Sequence, residues 1–211
     1  STVASNLAIA MAQADLRVLL IDADMRKPTQ HVTFDAGATQ GLSDVLSRRV
    51  SLDAAIVPSG IDSLDLLLCG QLPGNPVELL NNGCFADMLD ELKTRYDKII
   101  IDSPPVMPVA DARVVAALSD STLLVLRAER SARRISLGAR NELWRVRARR
   151  VGVVVNGVPN SKQEAYGYGH GFGQGSYGYD HPDDQALLAP KRRKKSRALP
   201  APQAHAVGDE I

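Results

Sequence analysis

Two apolar runs in this chain end in a carboxylate: Val18-Leu19-Leu20-Ile21 closes on Asp22, with Asp24 two residues on, and Ile99-Ile100-Ile101 closes on Asp102. In open α/β sheets ligands bind beyond the carboxyl ends of the strands, so aspartates there face the binding crevice. Magnesium takes hard oxygen ligands and keeps several waters, so one or two carboxylates plus phosphate oxygens suffice to hold it. A carboxylate in that crevice can also take the proton of an attacking hydroxyl. A lone strand-end aspartate equally well caps a helix or closes a turn. Two of them, each ending a run of aliphatics, favour a metal–nucleotide site. A second set of reactive groups lies near the other end of the chain. Tyr166, Tyr168, Tyr177 and Tyr179, four of the five tyrosines, are interleaved with Gly167, Gly169, Gly171, Gly173, Gly175 and Gly178. Glycine keeps such a segment mobile and sterically open. The segment reads either as an unmodified linker or as a set of accessible phenolic hydroxyls.

The elements that must position the aspartates are legible from apolar patterning. Continuous apolar runs at 18–22, 64–68, 99–102, 122–126 and 151–155 read as strands buried on both faces of a parallel sheet. Residues 3–12 fit a buried helix, and 85–96, 111–118 and 131–146 fit further helices. Strands alternating with helices predict an α/β fold, a mostly parallel sheet with helices on both faces. Hydrophobic residues make up 45% of the 211-residue chain and aromatics 4%, so the core must be aliphatic. The 25 Lys+Arg nearly balance 24 Asp+Glu, so global charge selects no partner and no nucleic acid is expected. Arg133, Arg134, Arg140, Arg145, Arg147, Arg149 and Arg150 read as an exposed helix face and turn. Cys69 and Cys84 have no metal-ligand spacing and read as buried thiols of a reducing compartment. No apolar run reaches the roughly 18–20 residues that span a bilayer.

After Asn156 the composition changes. Residues 159–182 hold many glycines and almost no aliphatics, too little apolar surface to offset ordering entropy, which predicts a flexible tail. The reading divides the chain into a domain at 1–158 and a tail at 159–211. The basic run Lys191-Arg192-Arg193-Lys194-Lys195-Ser196-Arg197 has several readings: a solvated tail, a contact for anionic lipid headgroups, a holder of a phosphorylated tail, and, less favoured, a contact for nucleic acid phosphates.

Ser1-Thr2-Val3-Ala4-Ser5-Asn6-Leu7-Ala8 resembles the stretch just after the lysine of a P-loop, G-x-x-x-x-G-K-[ST]. One helix later, Leu20-Ile21-Asp22-Ala23-Asp24-Met25-Arg26-Lys27-Pro28 resembles the Walker A′ motif of the P-loop ATPases related to the MinD and ParA proteins. Ile99-Ile100-Ile101-Asp102-Ser103-Pro104-Pro105 resembles their Walker B strand, and Val153-Val154-Val155-Asn156-Gly157-Val158 their adenine-side strand. Asp24-Met25-Arg26-Lys27-Pro28, Gly70-Gln71-Leu72-Pro73-Gly74-Asn75-Pro76-Val77-Glu78-Leu79-Leu80 and the tyrosine cluster are similar to one branch, the bacterial tyrosine kinases of exopolysaccharide export, of the Wzc and CapB type.

The resemblance implies a P-loop fold binding ATP and Mg2+ and a γ-phosphoryl transfer to tyrosine. By the same resemblance, Ser1, Asp22 and Asp102 hold the metal, and Asp22, Asp24 and Asp102 are the catalytic carboxylates, with Asp22 as general base. Thr2 meets the α-phosphate and Asn156 the adenine. The implied phosphoacceptors are Tyr166, Tyr168, Tyr177 and Tyr179 of a neighbouring copy in a homo-oligomeric ring. A membrane polysaccharide co-polymerase domain, fused or separate, and a tyrosine phosphatase are the implied partners, at the cytoplasmic face of the bacterial inner membrane. Two other readings stay open: a non-kinase ATPase switch of the MinD/ParA kind, and a regulatory partner without activity. The glycine loop, its lysine and the strand before them are expected upstream of Ser1, in a protein that continues beyond it. Residues 1–211 alone are then expected to bind ATP poorly. Calorimetric titration of this stretch with Mg-ATP checks the expectation, and tight magnesium-dependent binding would refute it.

Overall fold

The computed structural model describes residues 1–37, 39–128 and 133–158. The tyrosine cluster and the basic run at 191–197 lie outside the described residues.

Strand β1 (Val18–Asp22) is the centre of the larger sheet, and all five of its residues are buried. It pairs in parallel with β3 (Leu64–Leu67) on one side and β4 (Lys98–Asp102) on the other. β2 (Ile56–Ile61) lies antiparallel at the far edge, giving the order β2-β3-β1-β4. Successive side chains of a strand point to opposite faces, and β1 divides accordingly. Leu19 and Ile21 enter a cluster with Met25, Leu42, Phe85, Leu89 and Leu92. Val18 and Leu20 enter a second cluster with Ala8, Ala12, Leu64 and Leu66. The first lies under α3 (Leu42–Leu46), α5 (Pro76–Asn81) and α6 (Cys84–Leu92), the second under α1 (Thr2–Ala12). Both faces of the sheet are thus covered by helices, as expected.

The remaining helices are α2 (Gln30–Thr33), α4 (Leu52–Ala55), α7 (Asp111–Leu118) and α8 (Arg133–Arg145). α7 matches the expected span, and α6 begins one residue before its expected span and ends within it. Residues 3–12 do form α1, although only Ser5, Ala8 and Ala12 of it are buried. The seven arginines expected on an exposed face are all exposed, on α8 and the turn after it.

The sheet corrects one expectation. β5 (Thr122–Arg127) and β6 (Val151–Asn156) are parallel to each other but form their own two-stranded sheet. Leu123, Val125, Val153 and Val155 are exposed, where burial on both faces was expected. The physical reason is that no layer among the described residues covers that face, and none of the described strands joins β4 to β5. The thiols are corrected in part as well: Cys69 is buried, whereas Cys84 is only half-buried.

The segment Gly70–Leu80 has a structural reason at two points. Asn75 caps α5: its side chain accepts from the Glu78 N–H at 3.4 Å, and its amide donates to the Glu78 carboxylate at 3.0 Å. Pro76 comes next, at the first helical position, where a missing N–H costs nothing. Gly70 has φ 76°, in the left-handed region. A Cβ there would run into the Asp44 carboxylate and the Gly41 backbone. Asp44 itself is buried and accepts from the Gly41 N–H at 3.0 Å while pairing with Arg49 at 2.8 Å. Gly70→Ala therefore strains the backbone and displaces a buried carboxylate, and is expected to destabilise the chain by about 2 kcal/mol or more. Gly74→Ala, where a Cβ meets open space, serves as the control and should stay within ~0.5 kcal/mol. Urea unfolding of both variants checks this, and equal midpoints would refute the reading of Gly70.

Candidate functional site

Parallel pairing of β1 with β4 sets Asp22 opposite Asp102, the last residues of adjacent strands. Both are buried, 1% and 5% exposed. After Asp22 the chain turns back on that side chain. Asp22 Oδ1 accepts from the Asp24 N–H at 3.2 Å, and Oδ2 accepts from the N–H groups of Thr29 and Gln30 at 3.1 and 3.0 Å. Asp24 does the same on a smaller scale, taking the N–H groups of Arg26 and Lys27 at 3.1 and 3.0 Å. Both aspartates therefore do the turn-closing that their position allowed. In doing so they set the loop from Asp22 to Gln30 over the strand ends.

Asp102 is held differently, by side chains. The Gln30 amide donates to Asp102 Oδ2 at 2.7 Å, and Ser5 Oγ donates to Gln30 Oε1 at 2.8 Å. Ser5 Oγ also lies 3.2 Å from the Ser1 carbonyl, and the Ser1 backbone nitrogen lies 3.4 Å from Asp102 Oδ1. The N-terminal end of α1 is thereby drawn onto the carboxylate pair. Ser1 stands at the N-cap of α1, and its hydroxyl makes no capping hydrogen bond. Thr2, the first residue of the helix, is exposed beside it.

A second tie fixes the loop to the other flank. Arg26 reaches Asp111 with both arms of its guanidinium, at 2.8 and 3.0 Å. Asp111, at the start of α7, is fully buried while Arg26 is half-exposed. That fork geometry suits a carboxylate, and it raises the Arg26 pKa further.

The structure thus brings Ser1, Asp22 and Asp102 together, with Thr2 and Asp24 beside them. Asn156 is not tied into that cluster. It ends β6 in the second sheet, opposite Arg127, and its side chain accepts from the Gly157 N–H at 2.8 Å. Sequence reasoning missed Gln30 and Ser5, and gave Arg26 no role beyond its place in a motif. The available signal was Ser5, a polar residue on the face of α1 that also carries Ala8 and Ala12.

The electrostatics of the pair bear on what it can hold. Burial pushes the Asp22 carboxyl up to about 6; the Gln30 N–H opposes this, and the negative charge of Asp102 adds to it. A carboxylate buried beside a second negative charge disfavours its own ionisation, as Asp22 does, and a cation relieves that. Among the described residues no group of three His, Cys, Asp or Glu forms a metal cage. Two carboxylates and a hydroxyl suit magnesium, which keeps waters and phosphate oxygens in its shell. A helix N-terminus beside them suits an anion. The residues present therefore fit a magnesium–nucleotide complex.

A partly parallel α/β sheet with aspartates at adjacent strand ends defines the class, a nucleotide-binding P-loop-type fold. The family model described as an AAA domain matches residues 1–137. The solved MinD from Pyrococcus horikoshii, complexed with Mg-ADP, is similar in fold, with a TM-score of 0.63 at 21% identity, covering 77% of this chain and 70% of that one. The tyrosine-protein kinase YwqD of Bacillus subtilis is 38% identical over 168 residues, 80% of this chain and 71% of YwqD. The solved kinase domain of the Escherichia coli tyrosine kinase ETK superposes with a TM-score of 0.73 at 32% identity, covering 84% of this chain and 66% of that one. The chain belongs to the family of bacterial tyrosine-protein kinases.

The raised Asp22 pKa has a consequence for stability. A carboxyl whose folded pKa lies above its unfolded value of 3.8 loses folding stability as pH rises from 3.8 towards 6. At neutral pH the ionised Asp22 therefore weakens the metal-free fold. Asp22→Asn should stabilise the metal-free chain at pH 7.5 by about 1–2 kcal/mol. That is less than the ~3 kcal/mol of the full shift, because the new amide meets the Asp24 N–H. Near pH 4 the gain should vanish. Thermal unfolding at the two pH values measures this, and a loss of stability at pH 7.5 would contradict it.

Proposed function

We propose that this protein is an ATP-dependent protein-tyrosine kinase that acts on its own C-terminal tyrosines and regulates capsular or exopolysaccharide polymerisation and export. The observation that carries the proposal is the in-register pair Asp22 and Asp102 beneath the N-terminus of α1, in a chain of the tyrosine-kinase family.

Magnesium bound here would supply charge neutralisation at the phosphates of ATP. Asp22, Asp102 and the Ser1 hydroxyl are the proposed metal-holding groups. Thr2, beside Ser1 at the helix start, is the proposed donor to the α-phosphate, and Asn156 the reader of adenine. Phosphoryl transfer asks the protein mainly for positioning and neutralisation. In the transfer the tyrosine oxygen forms its bond to the γ-phosphorus, the bond to the β-bridging oxygen breaks, and ADP leaves. The phenolic proton goes to Asp22, the proposed general base at the end of β1. A phenol with pKa ≈ 10 needs such an acceptor near neutral pH. Asp24 keeps the loop over Asp22 through its two backbone hydrogen bonds.

Residues 1–158 are the proposed kinase domain and 159–211 its tail. The proposed acceptors are Tyr166, Tyr168, Tyr177 and Tyr179, entering the site of a neighbouring copy in a ring. Each phosphate adds about −1.5 to −2 charge, so phosphorylated subunits repel and the ring opens. The proposed partners are a membrane polysaccharide co-polymerase and a tyrosine phosphatase, at the cytoplasmic face of the bacterial inner membrane. Among the described residues, no helix is long and apolar enough to cross a membrane.

Asp22→Asn in the full-length protein is expected to lower autophosphorylation at least 100-fold, a typical loss for a positioned base. Phosphopeptide mass spectrometry across 166–179 reads the result. An unchanged phosphotyrosine signal removes Asp22 as the base, and its absence from the wild type counts against the kinase.

A further inference from the structure

Gln30 is fully buried, yet every polar group of its side chain that the structure describes is engaged with the site. Its amide nitrogen is 2.7 Å from Asp102 Oδ2, its oxygen takes the Ser5 hydroxyl at 2.8 Å, and its own N–H donates to Asp22 Oδ2 at 3.0 Å. One residue thus touches both carboxylates and the inward face of α1. The orientation of the amide is dictated by its neighbours. An ionised carboxylate only accepts, so the NH2 must face Asp102, and the hydroxyl of Ser5 must then donate to the remaining oxygen.

This arrangement has two effects. Asp102 Oδ2 is occupied by a neutral donor, and Oδ1 lies on the side of the α1 N-terminus, 3.4 Å from the Ser1 amino nitrogen. And the position of α1, through Ser5, is coupled to the orientation of Asp102. A glutamine fits both tasks where a charged donor does not. A lysine or arginine would cancel the negative charge that a cation needs, whereas an amide fixes the carboxylate and leaves its charge in place.

We propose that Gln30 is a positioning residue, with Ser5 as its support, that holds Asp102 with Oδ1 presented to the N-terminus of α1 and so sets the magnesium dependence of nucleotide binding. This rests on the reading of the site as a magnesium–nucleotide site. Groups behind metal ligands of this kind typically change metal affinity 10–100-fold when removed.

The test uses the full-length protein with fluorescent ADP and magnesium as probes. Gln30→Leu removes the amide at similar size, Gln30→Glu turns the donor into an acceptor facing Asp102, and Ser5→Ala removes only the support. The half-saturating magnesium concentration for ADP binding should rise about tenfold or more in the two Gln30 variants and less, roughly two- to threefold, in Ser5→Ala. Affinity for ADP in EDTA should stay at the wild-type value in all three. Side-chain amide exchange in the wild type without metal is the independent readout: both Gln30 Nε2 protons should exchange far more slowly than those of a surface glutamine. An unchanged magnesium requirement in Ser5→Ala and Gln30→Leu overturns the positioning role, as does an equal loss of affinity with and without magnesium. Free-rate exchange of the amide protons overturns the geometry itself. A wild type whose ADP binding ignores magnesium, with the amide still protected, overturns the nucleotide–metal reading on which the proposal stands.

Discussion

The site depends on one register. Val18 to Asp22 align residue for residue with Lys98 to Asp102, so two carboxylates end side by side at the same edge. A slip of one residue would turn one of them to the opposite face. The alignment is unfavourable for Asp22, whose burial and whose neighbour's negative charge both raise the cost of ionising it. The surrounding structure limits that cost without removing it. Three backbone N–H groups converge on Asp22 and one neutral amide on Asp102. None of these donors carries a charge; the Ser1 amino group 3.4 Å from Asp102 Oδ1 does, and the cationic tie of the loop, from Arg26, goes to Asp111.

Such a pair persists only where the rest of the fold supplies stability. β1 is buried along its whole length because it feeds two cores at once, through Leu19 and Ile21 on one face and Val18 and Leu20 on the other. The loop above it is held at both ends. Its return is pinned by the backbone bonds to Asp22, and its middle is pinned by the Arg26–Asp111 fork. The fork is bidentate and one of its partners is fully buried, so it holds the loop more firmly than an ion pair with both partners exposed, such as Lys93–Asp90.

This physics decides which parts were legible in the sequence. β1 stood out because a strand buried in the middle of a sheet reads as an unbroken aliphatic run; β4 carries the same kind of run although it is half-buried at the edge of the described sheet. β2 did not, because Pro58 and Gly60 interrupt Ile56–Ile61. Both are admissible on an edge strand, where the register shift between Pro58 and Ile61 absorbs them. β5 and β6 were found as strands, but an aliphatic run alone does not say whether both faces are covered. Within the site, the aspartates were legible by type and position. Gln30 was not, because its importance lies in a side-chain contact across 72 residues of sequence to Asp102. The short helices α2, α3 and α4 escaped for a related reason: at four or five residues they are too short to show a helical period.

The same contacts explain why the carboxylate pair and α1 behave as one unit. Ser5 on α1, Gln30 at the start of α2, and Asp22 and Asp102 at the strand ends share a single chain of hydrogen bonds. A shift of any member by an ångström or so leaves a buried donor or acceptor unpaired, and each such group costs about 1–3 kcal/mol. A displacement of α1 therefore reaches Asp102 through Ser5 and Gln30, and reaches Asp22 through the backbone of the same residue. In a site where a helix start and two strand ends must act on one ligand, that coupling makes the arrangement of charges a property of the fold. Three independent rotamers would not hold it.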